Sequence, residues 1–258
     1  MTERCEDPVS MSAPPSSVLG RALTLLTAFG ASDVELSLAE LARRTGLPKP
    51  TVHRLLGELA EWAVVERVPG GWRLGMALFE MGNRAPRQRG LREVAAPFLS
   101  DLFEATHETV HLAVADGLDV VYLDKLTTRH GPAVGSRVGG RMPAHATGVG
   151  KVLLAFGPPE LAPAVLAGGL ERRTPRTVVA PGLLGRELAR IRAQGVAEEH
   201  EESTVGIACV AAPVHDGGPH AVAAISITGW ANRLDVNRLG PAVRTAAIGL
   251  SRVLRSRD

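Results

Sequence analysis

The sequence predicts an α+β protein in two parts. Three short helices closed by a β-hairpin come first, then a linker helix and a larger α/β domain on a largely antiparallel sheet. Three observations carry this. Between Ser17 and Trp62 the apolar residues recur at helical spacing, in runs broken by Gly-containing turns. From Val64 to Leu74 the period drops to two around Pro69-Gly70-Gly71. Beyond Thr106, β-type and helical runs alternate, and two of the β-type pairs are joined by short Asp-Gly turns, which favours antiparallel neighbours.

The composition bounds the rest. The chain has 258 residues, 45% hydrophobic and 22% charged, so it can bury one large core or two small ones. No apolar run approaches the roughly 20 residues of a membrane span, so no membrane partner is expected. Met1 to Ser16 is polar and Pro/Ser-rich without the apolar centre of a signal peptide, and reads as a disordered tail, 1–16. Cys5 and Cys209 offer no disulfide framework, which fits a reducing cytoplasm. Aromatics make up only 3% of the chain, too few for a single-strand binder that stacks bases. The formal net charge is +2, so any affinity for nucleic acid must come from a local patch.

The first helix is expected from about Ser17 to Phe29, where Ala22, Leu26 and Phe29 share one stripe and a serine caps the start. Leu38, Leu41 and Ala42 mark the second. Val52, Leu55, Leu56 and Leu59 mark the third. Thr45-Gly46-Leu47-Pro48 separates the two: Gly permits positive φ, and Pro ends one helix and can open the next. That is a helix-turn-helix, whose second helix is presented to the DNA major groove. Lys49 opens that helix, and its outward face carries Thr51, His53 and Arg54. Arg44 adds to a basic cluster that contains no acid from Arg43 to Gly57, which suits phosphate contact and counterion release. The hairpin makes the unit a winged helix, 17–83, with Arg67 and Arg73 flanking the wing.

Arg84 to Arg92 is an Arg-rich connector within or between helices, and Leu91, Val94, Ala95, Phe98, Leu99 and Leu102 then form a long amphipathic stripe. Together they make a linker and connecting helix, 84–106. In the remaining domain, 107–258, strands are expected at Val110–Ala115, Val120–Leu126, Ile207–His215 and Ala221–Thr228, with a further candidate at Ala133–Val138. Helices are expected at Thr147–Phe156, Glu160–Ala167, Leu183–Gln194 and Val236–Leu254. Gly148, Val149 and Gly150 place backbone N–H groups at a helix start, a suitable anion site. Ser226 and Thr228 are two apart on a strand, so their hydroxyls share one face of the sheet.

The order of these parts resembles the IclR family of transcriptional regulators. The segments carrying the resemblance are AELARRTGLPKPTVHRLLGELAEWAVVER, GRMPAHATGVGKVLLAF at 140–156, GVAEEHEES at 195–203 and IACVAAPVHDGGPHAVAAISITG at 207–229. It covers about Ser17 to Leu254. It implies a GAF- or profilin-like effector-binding domain whose ligand contacts fall on Val134, Met142, Glu199, Cys209, Ser226 and Thr228. It further implies a homodimer or dimer of dimers on a palindromic double-stranded operator, controlled by a small metabolite, often a carboxylate. No catalysis and no cofactor are implied. One departure is Pro50, where the family usually has Ser or Thr: proline is tolerated in a first turn but donates no hydrogen bond to phosphate, which shifts that burden to Lys49 and Thr51.

The competing reading is a zinc-dependent hydrolase. His107-Glu108-Thr109-Val110-His111 matches H-E-x-x-H, which needs both histidines one turn apart on a helix. Here the helical stripe ends near Thr106 and an alternating strand pattern follows, which would hold the two imidazoles about 13 Å apart. Gly148-Val149-Gly150-Lys151 is not a phosphate loop, because His145 stands where that motif has its first Gly and Val152 where it has Ser or Thr.

Overall fold

The computed structural model describes residues 17–128, 131–132 and 134–256. The expected tail and Ala133 lie outside the described residues. The contacts divide the chain into two compact units, the first ending at Pro86 and the second beginning at Arg87.

In the first unit, α1 (Val18–Thr27) and α2 (Leu38–Thr45) are each capped by a serine: Ser17 accepts the Gly20 N–H and Ser37 the Glu40 N–H. Gly46 ends α2 in the left-handed region at φ 68°, which any residue with a Cβ adopts at a cost. Helix α3 (Lys49–Glu61) starts after Pro48, with Pro50 in its first turn. Strands β1 (Val65–Val68) and β2 (Gly71–Leu74) form the expected hairpin, with Glu66 opposite Arg73. Leu36 bridges Trp72 from outside the hairpin and ties it to the start of α2. Leu25, Leu41, Val52, Leu55, Leu56 and Val65 are at most 1% exposed and fill the space between these elements. Helix α4 (Met76–Asn83) was not expected from the pattern. It buries no residue within the unit and leaves Met76, Phe79 and Met81 exposed.

The second unit is three layers. Its sheet has six strands in the order β5-β4-β3-β8-β7-β6, every neighbour antiparallel: β3 (Thr109–Asp116), β4 (Asp119–Leu126), β5 (Arg141–Pro143), β6 (Ala197–His200), β7 (Ile207–His215) and β8 (Ala221–Trp230). On one face lie α5 (Pro86–Thr106) and α9 (Val236–Arg255), packed on Leu112, Val210 and Ile225. On the other lie α6 (Gly148–Phe156), α7 (Leu161–Gly168) and α8 (Pro181–Gln194), packed on Ala113, Ala211 and Ala224. The sides follow from strand alternation: Leu112 and Ala113 are adjacent and face opposite layers.

The Arg-rich segment lies within α5 from Pro86 onward, so the linker and the amphipathic stripe are one helix. The described residues of the expected strand Ala133–Val138 are irregular; the edge strand forms later, at Arg141–Pro143. Ala197–His200, which the sequence did not mark as a strand, pairs with β7 as the opposite edge. Helix α6 is buried from Gly148 to Ala155, as a helix apolar on nearly all sides must be. No helix among the described residues is long and apolar enough to cross a membrane.

Candidate functional site

Two sites take shape, one in each unit. In the first, α3 turns Val52, Leu55 and Leu56 into the core. Its other side exposes Lys49, His53 and Arg54, with Thr51 half-buried. Arg54 makes a 2.5 Å ion pair with Glu58 one turn on. Both side chains are more than half exposed, and such pairs are worth little, so the guanidinium can exchange this carboxylate for a phosphate or a base edge. On the wing, Arg67 is exposed on β1, and Arg73 pairs across the hairpin with Glu66 at 2.7 Å.

Arg44 is placed differently from the expectation. It reaches back beneath the α1–α2 connection, where its guanidinium donates to the Ala28 carbonyl at 3.0 Å, to Asp33 at 2.5 Å and to Glu40 at 2.7 Å. The Arg44 hydrogen bond holds the Asp33 carboxyl below its ordinary range despite partial burial, and Asp33 in turn raises Arg44. The fork is occupied by groups of its own unit, so Arg44 is a staple of the fold and not a free basic contact.

The second site is a cavity of ≈ 30 Å³ between the sheet and the start of α6. Val134, Met142, Gly148, Val149, Glu199, Cys209, Ser226 and Thr228 all line it. The strand register explains their meeting. Glu199 stands opposite Cys209, Cys209 opposite Thr228, and Ser226 opposite His111. Gly148 must be glycine, since a Cβ there would lie 2.9 Å from Cys209 Sγ.

Gly150 alone of the expected effector residues does not line the cavity. Its N–H donates to the Thr147 hydroxyl at 3.1 Å, the N-cap of α6, and a Cβ on it would fall 2.1 Å from the Ala144 carbonyl oxygen. Close packing, not ligand contact, is what glycine serves there. Gly148 and Val149, in the same first turn, keep N–H groups that the helix itself does not claim.

The rest of the wall was not expected from the sequence: His111, read there only as a zinc-ligand candidate, with Tyr122, Ser136, Ser203, Thr204, Ile207, Gly135 and Thr147. His111 is 2% exposed. Its Nε2 is 2.7 Å from the Ser136 hydroxyl, and its Nδ1 is 3.3 Å from Ser226 and 3.4 Å from Thr228. Burial, aided by nearby Lys125, pushes its pKa down to about 3, so the ring is a neutral donor and acceptor. Tyr122 packs against it with the rings tilted by 54° and their centroids 5.0 Å apart. Cys209 is an inert thiol: burial and the neighbouring Glu199 push it up to about 12.

Glu199 is pushed up to about 7 by burial, against two main-chain N–H groups, of Glu202 and Ser203, that donate to its Oε1. Beneath it, fully buried Lys151 donates to Glu187 at 2.8 Å and to Glu202 at 2.5 Å. This ion triad joins α6 and α8 to the loop whose main-chain N–H groups donate to Glu199.

The hydrolase reading does not survive the geometry. His107 ends α5 at φ 52° and is exposed, while His111 is inside the cavity wall on β3. Among the described residues no cluster of His, Cys, Asp and Glu is suited to a metal ion.

Comparison with known proteins finds relatives of both units. Residues 18–69 match the model of the IclR helix-turn-helix domain, and residues 84–252 that of the bacterial transcriptional regulator IclR C-terminal domain. The chain is 34% identical over 240 residues to the HTH-type transcriptional regulator XynR of Escherichia coli K12, covering 91% of this chain and 95% of that protein. It is also 34% identical to the transcriptional repressor IclR of the same organism, covering 92% and 89% of the two chains. Among solved structures, an IclR homologue from Microbacterium hydrocarbonoxydans complexed with 4-hydroxybenzoate superposes with a TM-score of 0.86 at 30% identity, covering 93% of this chain and 100% of that one.

Proposed function

The chain belongs to the IclR family of transcriptional regulators, sequence-specific DNA-binding proteins that typically respond to small metabolites and are not enzymes, and from that premise we propose how it does both. The wing and α3 read one half-site of a palindromic operator, with Arg54 and His53 over the base edges and Lys49, Arg67 and Arg73 on phosphate. Two copies are needed, because one winged helix reads one half-site. The homodimer, or dimer of dimers, covers the apolar side chains that α1 and α4 leave exposed: Leu19, Leu23, Met76 and Phe79. The site of action is the cytoplasm.

The effector is a small carboxylate, and the cavity of the second unit holds it. The observation that carries this is the convergence of the α6 N-terminus, two sheet hydroxyls and a neutral histidine on one buried space. Gly148 and Val149 N–H groups and the Ser226 and Thr228 hydroxyls are donors for the carboxylate, and Val134 and Met142 are apolar walls. At ≈ 30 Å³ the space admits roughly two waters, so the walls move outward on binding and the ligand is small. The carboxylate of 4-hydroxybenzoate in the related Microbacterium protein is consistent with this class.

To regulate, the ligand must bind the DNA-competent and incompetent states unequally; about 3 kcal/mol of difference changes operator affinity roughly 100-fold. The test is operator binding, measured by footprinting, with and without each acid of a broad panel. The reading expects at least one acid to shift affinity in the parent and to lose that effect in a Ser226→Ala, Thr228→Val double variant whose operator affinity is unchanged. A double variant that responds like the parent excludes the cavity.

A further inference from the structure

Glu199 sits where an anion is to bind, and a carboxylate there repels another. Resting on the reading of the cavity as a carboxylate site, its hydrogen bonds point to how the two coexist. Oε1 accepts two main-chain N–H groups, from Glu202 at 2.5 Å and Ser203 at 3.1 Å. Among the described residues, Oε2 accepts only from the Ser203 hydroxyl, at 3.5 Å. Oε1 is thus held by two N–H donors, while Oε2, with one long contact, is the oxygen left able to carry a proton and donate it.

The groups facing Glu199 supply no spare positive charge. From β7 comes the Cys209 thiol, from β8 Ser226 and Thr228, from β4 Tyr122 and from β3 neutral His111. Lys151 of α6 is already matched by Glu187 and Glu202. Lys125, opposite His111, donates to the Ser136 carbonyl at 2.6 Å.

We propose that a carboxylate ligand enters this cavity together with one proton, held between the ligand and the Oε2 of Glu199. The proton comes from solvent, and the pair of carboxyl groups then carries a single negative charge. An O–H···O⁻ contact of this kind is short and strong. Burial pushes the unliganded Glu199 carboxyl up to about 7, so below that pH the proton is already in place, and above it binding must take one up.

Calorimetric titration of the full chain tests this, using acetate, lactate and 4-hydroxybenzoate in buffers of differing ionisation enthalpy. Uptake should approach one proton per ligand at about pH 8.5 and vanish at about pH 5.5, and affinity should fall about tenfold per unit above neutrality. Glu199→Gln, whose amide is a permanent donor, should bind with neither uptake nor this pH dependence. Binding by the parent without uptake at either pH overturns the inference and leaves the effector cavity standing. Uptake that persists in Glu199→Gln but disappears in His111→Gln assigns the proton to the imidazole and equally overturns it. If none of the three acids binds, the inference falls together with the carboxylate reading. Should Glu199→Gln fail to fold, the proton count on the parent decides by itself.

Discussion

Replacing Lys151 by methionine should destabilise the second unit severely, although methionine fits the same volume. The ammonium is wholly inside the protein, 2.8 Å from Glu187 and 2.5 Å from Glu202, whose side chains are only 14% and 9% exposed. At an effective dielectric near 20 each contact contributes about 6 kcal/mol of Coulomb attraction, most of it offset by the desolvation of the three charges. Removing the cation alone keeps the desolvation and loses the attraction, and leaves two carboxylates repelling each other. Buried pairs broken in this way lose about 3–5 kcal/mol. For a domain of this size, with about 2–4 °C per kcal/mol, the melting temperature should fall by about 6–20 °C. Differential scanning calorimetry of the full chain reads it directly. The companion variant, Lys151→Met with Glu187→Gln and Glu202→Gln, should recover most of the loss, because it removes the orphaned charges too. A single variant within about 1 kcal/mol of the parent, or a triple variant no better than the single, would refute this account of the triad.

Four further outcomes follow. Arg54→Ala should weaken operator binding by roughly 1–3 kcal/mol with relaxed choice at one base, whereas Lys49→Ala should weaken binding to all sequences and reduce the salt dependence by about one ion; footprinting across salt concentrations separates them. Arg44→Ala should lower the stability of the first unit by about 1.5–3 kcal/mol at neutral pH without changing the salt slope of DNA binding. Because Asp33 is held below the ordinary carboxylate value of 3.8, that contribution is present above this value and is lost as the pH falls through the lower folded one, so acid unfolding of parent and variant should converge. His111→Phe should keep the fold and operator affinity yet weaken carboxylate binding about tenfold or more in calorimetry, since it removes the shared partner that orients the Ser226 and Thr228 hydroxyls. Gly150→Ala should cost about 1–3 kcal/mol in chemical denaturation despite the better helix propensity of alanine, because its Cβ meets the Ala144 carbonyl oxygen.

The sequence by itself determined the parts whose signals are local. The helix-turn-helix was legible because apolar spacing, Gly46 and Pro48 all act within a turn or two of chain, and the wing because Val65 to Leu74 alternates around one glycine turn. The antiparallel core strands were legible for the same reason: Asp-Gly turns join β3 to β4 and β7 to β8. Short edge strands and α4 were not, since a three- or four-residue strand and a helix that buries nothing in its own unit leave no period to read. Tertiary structure alone decided which polar groups work together. Arg44 and Arg54 look alike in sequence, but Asp33, eleven positions away, claims one and leaves the other at the surface. His111 belongs by sequence to an H-E-x-x-H string; strand pairing sets it against Ser226, 115 residues on, and makes it part of a cavity wall instead. Gly148 and Gly150 are equivalent by spacing, yet one faces Cys209 and the cavity while the other packs on Ala144. Propensity and periodicity act between neighbours in the chain, whereas a binding site is set by neighbours in space, and the register of the sheet is what converts one into the other.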